Sequence, residues 1–260
     1  LGLIDDPSGS LKMVYVGCGD NKTAIALSRA ATVLPGDHCY RIQQQVDSFV
    51  LLSWSLAQYR FDRYKKLPLS PRMLLLSKEK HAEILAEAEM VFFIRDLINT
   101  PTNDLGPSQL AEQTAELAKQ YQAEFQQWVG EELLQMNFPA IHAVGRASAS
   151  APRLLSLTWG DVGNPRVVLV GKGVCFDSGG LDIKPSPMMR LMKKDMGGAA
   201  HVLGLAELIM QAHLKINLEV YIPAVENSVS GNAYRPGDVV STRQGLSIEI
   251  GNTDAEGRVI

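Results

Sequence analysis

Four apolar-rich stretches, most of them near-continuous, constrain this chain more than any other feature: Leu154 to Thr158, Val167 to Val170, Leu218 to Val225 and Leu246 to Ile250. Strict alternation would mark strands with one wet face, whereas runs this continuous predict strands buried on both. Between the second and third lies an apolar helical segment, roughly Gly198 to His213. Buried strands joined by a helical crossover predict a central mixed sheet covered on both faces, an α/β fold. In such sheets ligands sit beyond the carboxyl ends of the strands.

The first third reads differently. Lys12 to Val16, Val50 to Trp54 and Arg72 to Leu76 are predicted strands and Thr23 to Val33 a helix, so residues 1–77 form a small α/β domain. Lys78 to Ile98 has no Gly or Pro and predicts a linking helix over residues 78–98, stopped ahead of Pro101. Ser108 is the expected N-cap of a further helix, whose apolar face is Leu110, Ala111, Thr114, Leu117, Ala118 and Tyr121. Gly17-Cys18-Gly19 follows a strand, but Lys22 stands where a dinucleotide fingerprint needs its third glycine, so a plain strand-to-helix turn is expected.

Charge and cysteine content narrow the function. Lys plus Arg number 25 against 28 Asp plus Glu, a net charge of −3 that gives nucleic-acid binding no broad cationic surface. Cys18, Cys39 and Cys175 are too few and too scattered for a disulfide framework or a CxxC metal site, and a reducing compartment, the cytoplasm, fits them. The apolar run Met90 to Ile94 is far short of the roughly 18 residues that a membrane span needs, so no membrane partner is expected. None of His38, His81, His142, His201 and His213 sits in an HExxH motif.

Two segments crowd charge and glycine directly after apolar strands. One runs from Val170 through Lys172, Asp177, Asp182 and Lys184 to Pro185, followed by Met192-Lys-Lys-Asp195-Met-Gly-Gly-Ala-Ala; the other is Gly251-Asn-Thr-Asp254-Ala-Glu256-Gly-Arg258. Glycines there allow positive φ and close backbone approach. Taken singly, Asp177, Asp195, Asp254 and Glu256 read as solvated loop carboxylates. Brought together without counter-charge they would raise one another's pKa and partly neutralise. Two divalent cations would balance four carboxylates, +4 against −4, in a dinuclear hydrolytic centre.

The combination VGKGVCFDSGGLDIKP, KKDMGGAA and NTDAEGR resembles the leucyl aminopeptidase family, hexamer-forming two-metal aminopeptidases of the cytosol. Asn99 to Asn103 and Ser230 to Asp238 share the likeness, which covers about residues 95–260. The resemblance makes residues 99–260 a catalytic metallopeptidase domain, incomplete and cut off just after Arg258, and hence unstable or inactive alone. It implies that Asp177 and Glu256 bridge two metals, that Asp254 completes one shell, and that Lys172 and Asp195 complete the other, with a metal-bound water or hydroxide as nucleophile. Lys184 would polarise the scissile carbonyl and Arg258 would hold a bicarbonate that shuttles protons. Substrate contacts would come from Lys184, Asp195 and Met192. The ions implied are zinc or manganese, with cobalt and magnesium also suited to an oxygen-rich shell with one amine. The implied partners are peptides with a leucine or other large apolar N-terminal residue, and further copies of the chain in a homohexamer.

Lys172 ligates a metal only as the neutral amine, which costs about 4.6 kcal/mol at pH 7 from a reference pKa near 10.4. A dication within bonding distance could supply that. The frame Gly171-Lys172-Gly173 is not a P-loop. Met192 reads equally as a pocket wall and as core. Two alternatives stand beside the metallopeptidase. A serine hydrolase with Ser178 as nucleophile draws on Asp177-Ser178-Gly179-Gly180 but lacks a recognisable histidine partner. An assembly or DNA-binding scaffold of the same family draws no support from the net charge of −3.

Overall fold

In a computed structural model of the chain, residues 2–20, 22–66, 72–77 and 81–260 are described. The chain divides into two compact units, Leu1–Phe92 and Phe93–Ile260.

The first unit opens with strands β1 (Gly2–Asp5) and β2 (Leu11–Tyr15), paired antiparallel around a turn in which Asp6 accepts hydrogen bonds from the amides of Ser8 and Ser10. Helix α1 (Thr23–Val33), strand β3 (His38–Tyr40), helix α2 (Ser48–Ala57) and strand β4 (Arg72–Leu74) come next, with β3 and β4 parallel. Ala30, Ala31, Leu34 and Trp54 are its buried centre, covered by Val14, Leu27, Tyr40 and Leu74.

One expectation fails in this unit: Val50 to Trp54 is helix, not strand. The segment Ser48–Ala57 is apolar nearly all round, so it carries no period to separate helix from strand. The decisive group precedes it, since Asp47 Oδ1 accepts from the Val50 amide at 2.9 Å and caps the helix. Gly17 to Gly19 is a connection between β2 and α1, as expected of a plain turn.

The unit boundary falls inside α3 (Ala82–Asn99); the first three residues of the predicted linking helix, Lys78 to Lys80, lie outside the described residues. Helix α4 (Pro107–Gln120) is capped by Gly106 rather than Ser108. Pro107 at its first position is pre-set for helix and has no amide to leave unpaired, which moves the start two residues upstream. Beyond it lie β5 (Glu124–Val129), α5 (Glu132–Gln135), α6 (Pro139–Gly145), β6 (Arg153–Trp159), β7 (Arg166–Val170), β8 (Gly173–Asp177) and α7 (Ser186–Met189). A 3₁₀ helix (Met192–Met196) runs directly into α8 (Gly197–Gln211). Strand β9 (Asn217–Asn227), the short strands β10 (Val239–Ser241) and β11 (Ser247–Glu249) and a final 3₁₀ helix (Thr253–Arg258) complete the unit.

The central sheet is mixed, with β9 at its heart: β6 pairs with it antiparallel on one side, with β5 beyond, and β7 and β8 pair with it parallel on the other. Leu155, Leu157, Leu218, Val220 and Ile222 are buried on one face, and Leu154, Val174 and Val225 on the other. Apolar residues on both faces account for the runs in β6 and β9, whereas in β7 Val168 and Val170 are exposed, so the expectation of burial on both faces fails for Val167 to Val170. Leu154, Val174 and Val225 join Leu133, Ile141, Val144, Tyr234 and Ile250 in one core cluster. Among the described residues the segment Leu246 to Ile250 does not enter this sheet; there β11 pairs with β10 alone, in a two-stranded hairpin.

Pairing along one edge of β9 is interrupted twice. β7 is paired as far as Tyr221 and β8 begins opposite Ala224, so Gly171 and Lys172 fall in a break beside Ile222 and Pro223. Pro223 has no N–H to continue a ladder, which leaves the neighbouring chain free to turn out of the sheet there. A bulge then intervenes, because Val174 pairs with Val225 and Phe176 with Glu226, leaving Cys175 over. The Cys175 carbonyl accepts from Thr102 Oγ1 at 2.7 Å instead.

Candidate metal centre

Three stretches of chain, residues 172–184, 192–196 and 253–258, bring the charged residues together. Lys172 comes from the break between β7 and β8, and Asp177 is the last residue of β8. Asp195 sits in the 3₁₀ helix before α8, and Asp254 and Glu256 in the 3₁₀ helix that ends the chain. The Lys172 carbonyl accepts from the Ala199 amide at 2.9 Å, which ties the break to the start of α8. Gly257 lets the Lys172 side chain pass: a Cβ there would lie 2.8 Å from both Cε and Nζ.

The charges form two crossed pairs. Lys172 Nζ lies 2.8 Å from Asp195 Oδ2 and 2.7 Å from Glu256 Oε1. Lys184 Nζ lies 2.8 Å from Asp177 Oδ2 and also contacts Asp254 Oδ1. Asp177 and Glu256 are fully buried, Lys184 nearly so, and Lys172 and Asp254 half-exposed. Burial works against both ammonium groups, but their carboxylate partners outweigh it and hold both lysines above the ordinary lysine range. Burial also pushes the Glu256 carboxyl up; Lys172 draws it back down and Asp177 adds to the rise.

A supporting network fixes these groups. Asp177 Oδ1 accepts from the Gly179 amide at 2.9 Å and from Asn227 Nδ2 at 2.8 Å. Thr253, wholly buried, donates from its amide to Asp182 Oδ2 at 2.7 Å and from its hydroxyl to the Gly179 carbonyl at 2.7 Å. Its own carbonyl accepts from Asn227 Nδ2 and from the Tyr234 hydroxyl. Gly180, at φ 65°, passes so close to Asn227 Oδ1 and Thr253 Oγ1 that a Cβ would clash with both.

The residues present suit divalent cations. Asp177, Asp195 and Glu256 each offer a carboxylate oxygen, all within 4.8 Å of one another. Glu256 Oε2 is buried and takes no hydrogen bond among the described residues. Four carboxylates against two ammonium groups leave the cluster at −2, in a place where an unbalanced charge is costly. Oxygen donors with one available amine fit magnesium, manganese, zinc or cobalt.

The other residues singled out in the sequence take varied places. Asp254 stands outside the carboxylate trio and meets the site through Lys184. Arg258 is exposed, and its side chain makes no ion pair or hydrogen bond among the described residues. Met192 is buried, as a core methionine would be. The Ser178 hydroxyl donates to the Asn227 carbonyl at 2.7 Å and accepts from the Gly180 amide at 3.2 Å, and among the described residues no histidine ring bonds to it. Ser178 therefore shapes the loop and does not form a triad. Asp182, Thr253 and Gly257 lie inside the sequence motifs but carry no role there, and Asn227 lies outside them; their parts depend on which strands lie side by side.

Residues 92–260 match the profile of the cytosol aminopeptidase family, catalytic domain. The chain belongs to that family. It is 40% identical over 215 residues to a probable cytosol aminopeptidase of Aquifex aeolicus, covering 78% of this chain and 43% of the relative. It is also 40% identical over 192 residues to peptidase B of Yersinia pseudotuberculosis, covering 71% of this chain and 44% of the relative. Among solved structures, the cytosol aminopeptidase of Coxiella burnetii superposes with a TM-score of 0.94 at 44% identity, over 99% of this chain and 57% of its own. The bottromycin maturation enzyme BotP, in complex with Mn, superposes with a TM-score of 0.86 at 33% identity, over 99% of this chain and 60% of its own. The chain thus spans about half the length of the cytosol aminopeptidases it matches.

Proposed function

We propose that this chain carries the metal centre of an aminopeptidase that removes N-terminal residues, preferably leucine and other large apolar ones, from peptides. The observation that carries the reading is the convergence of Asp177, Asp195 and Glu256 within 4.8 Å, with Lys172 against two of them and Lys184 against the third. Asp177 and Glu256 would be shared by two ions, Asp254 would complete one shell, and Lys172 and Asp195 the other. The Mn complex of a structural relative supports manganese; zinc, cobalt and magnesium suit the same donors. Bound divalent ions supply acidity that makes water a nucleophile near neutral pH.

The chain's own side chains do the rest. Lys184, held as an ammonium by Asp177 and Asp254, would donate to the scissile carbonyl oxygen as negative charge grows on it. Asp195 would hold the substrate's amino group. Lys172 would give up its proton to become a ligand. Because its carboxylate partners raise its pKa, the cost exceeds the roughly 4.6 kcal/mol of an unperturbed lysine. Arg258, exposed beside Gly257, would hold a bicarbonate ion as proton carrier. Met192 would contribute to side-chain selection from its buried position. A cytoplasmic homohexamer belongs to the same proposal. A pure scaffold gains nothing from a buried carboxylate cluster of net negative charge, which weighs against the non-enzymatic alternative.

The test is hydrolysis of leucine p-nitroanilide by the full chain with added Mn²⁺, alongside metal analysis. Asp177→Asn and Glu256→Gln should each lose both bound metal and turnover. Wild-type-like turnover in either variant, or turnover that survives chelation, would sink the reading.

A further inference from the structure

Asn227 ends β9 beside Asp177 and is 1% exposed. Its carboxamide nitrogen has two protons, and both are used: one goes to Asp177 Oδ1 at 2.8 Å, the other to the Thr253 carbonyl at 2.9 Å. The amide could not be turned round, because its oxygen would then face two acceptors. In the orientation seen, Asn227 Oδ1 is buried with no hydrogen bond among the described residues.

The two contacts are not equivalent. Thr253 is also held by Tyr234 at 2.7 Å and through Asp182, so its position is secured several times over. Asp177 Oδ1 has two donors, the Gly179 amide and Asn227, and of these only Asn227 comes from a side chain. Two donors on one oxygen fix the plane of the carboxylate and leave Oδ2 turned toward the cluster, where Lys184 meets it. Aspartate at 227 would set an acceptor against Asp177, and threonine would have one proton for two tasks.

We propose that Asn227 is a positioning residue of the metal centre: its carboxamide sets the orientation in which Asp177 presents Oδ2, while linking that carboxylate to the turn bearing Asp254 and Glu256. This rests on the reading of Asp177 as a metal ligand.

The experiment measures Mn²⁺ affinity of the full chain by calorimetry, with leucine p-nitroanilide kinetics and melting temperature in chelator. Asn227→Ala should weaken Mn²⁺ binding by about 10- to 100-fold, the usual loss when a partner behind a ligand is removed. At saturating Mn²⁺, kcat should fall with KM within threefold. Leu157→Val, a change at a fully buried core position of β6, should lower the melting temperature yet leave Mn²⁺ affinity within threefold. If Asn227→Ala does not fold, Asn227→Ser keeps one donor and should show a loss of at least fivefold. Mn²⁺ affinity within threefold of wild type in a folded Asn227 variant, or an equal loss in Leu157→Val, overturns the proposal. Asp177→Asn is the control for the reading beneath it: if that variant binds Mn²⁺ as wild type does, Asp177 is no ligand, and the metal assignment and this proposal fall together.

Discussion

Gly257→Ala separates the metal site from the fold that carries it. A methyl group at 257 would lie 2.8 Å from Lys172 Cε and Nζ and 3.1 Å from Cδ. Nonbonded carbons settle about 3.5–4.0 Å apart, so the Lys172 tail must retreat by about 1 Å. The fold loses little by this. The backbone at Gly257 is outside the left-handed region, so alanine adds no strain and gains about 0.4–1 kcal/mol by restricting the unfolded chain. Against that stand the ion pairs of Lys172, whose side chain is 36% exposed; at such sites each contributes about 0–1 kcal/mol. The net change in stability is within about 1 kcal/mol, or about 4 °C in melting temperature measured in chelator. Metal binding is less tolerant, since ligand distances hold to about 0.2 Å. Mn²⁺ affinity should fall by about 10- to 100-fold, equivalent to about 1.4–2.7 kcal/mol. Calorimetric titration of the chelator-stripped full chain reads this directly. Affinity within twofold of wild type, or a melting point more than 10 °C lower, would refute the argument that Gly257 exists to let Lys172 reach the cluster.

Lys184→Ala should reduce kcat by about 10²- to 10³-fold while metal content stays intact, because the ammonium acts on the developing oxyanion; metal loss in that variant would show that Lys184 holds the carboxylates instead. Glu226 is half-buried on β9, and burial raises its carboxyl above the usual range, with the Ser148 hydrogen bond opposing. A raised carboxyl pKa means that the folded state binds the proton more tightly, so stability is full below the unfolded value and is lost as pH rises toward the folded one. Glu226→Gln should therefore raise the melting temperature at pH 7, with the gain vanishing below about pH 4.5; a gain that persists at pH 4 would contradict the assignment of burial as its cause.

The sheet and the site were legible to different depths. Continuous apolar runs located β6 and β9, because burial on both faces leaves a mark in composition; β7 carries the same mark although Val168 and Val170 are exposed, so only one of its faces is covered. The same mark misled at Val50 to Trp54, where a helix apolar all round looks like a strand and only the Asp47 cap distinguishes them. β8 was hidden for the opposite reason: Gly173, Cys175 and Asp177 read as loop chemistry, although the segment pairs with β9. The charged residues at the site stood out because glycine and charge seldom follow a buried strand so densely. Their pairing did not, since Lys172 meets Asp195 and Glu256 across 23 and 84 residues of sequence. Asn227 left no trace, because its contact with Asp177 exists only in the register of two parallel strands.

The surplus residue Cys175 decides on which side of the sheet the chemistry happens. Side chains alternate along a strand, so residues three apart point opposite ways. Val174 and Asp177 are three apart, yet their partners Val225 and Asn227 are two apart and share a face. Cys175 absorbs the odd step. Counting along the sequence from Val174 therefore assigns Asp177 the wrong side, and in a relative that lacked one residue here the carboxylate would keep its aim, whereas one that gained a residue without a second bulge would turn it away from Glu256. The parity of this short strand, rather than the identity of any ligand, is the quantity to check before a site of this kind is transferred from one chain to another.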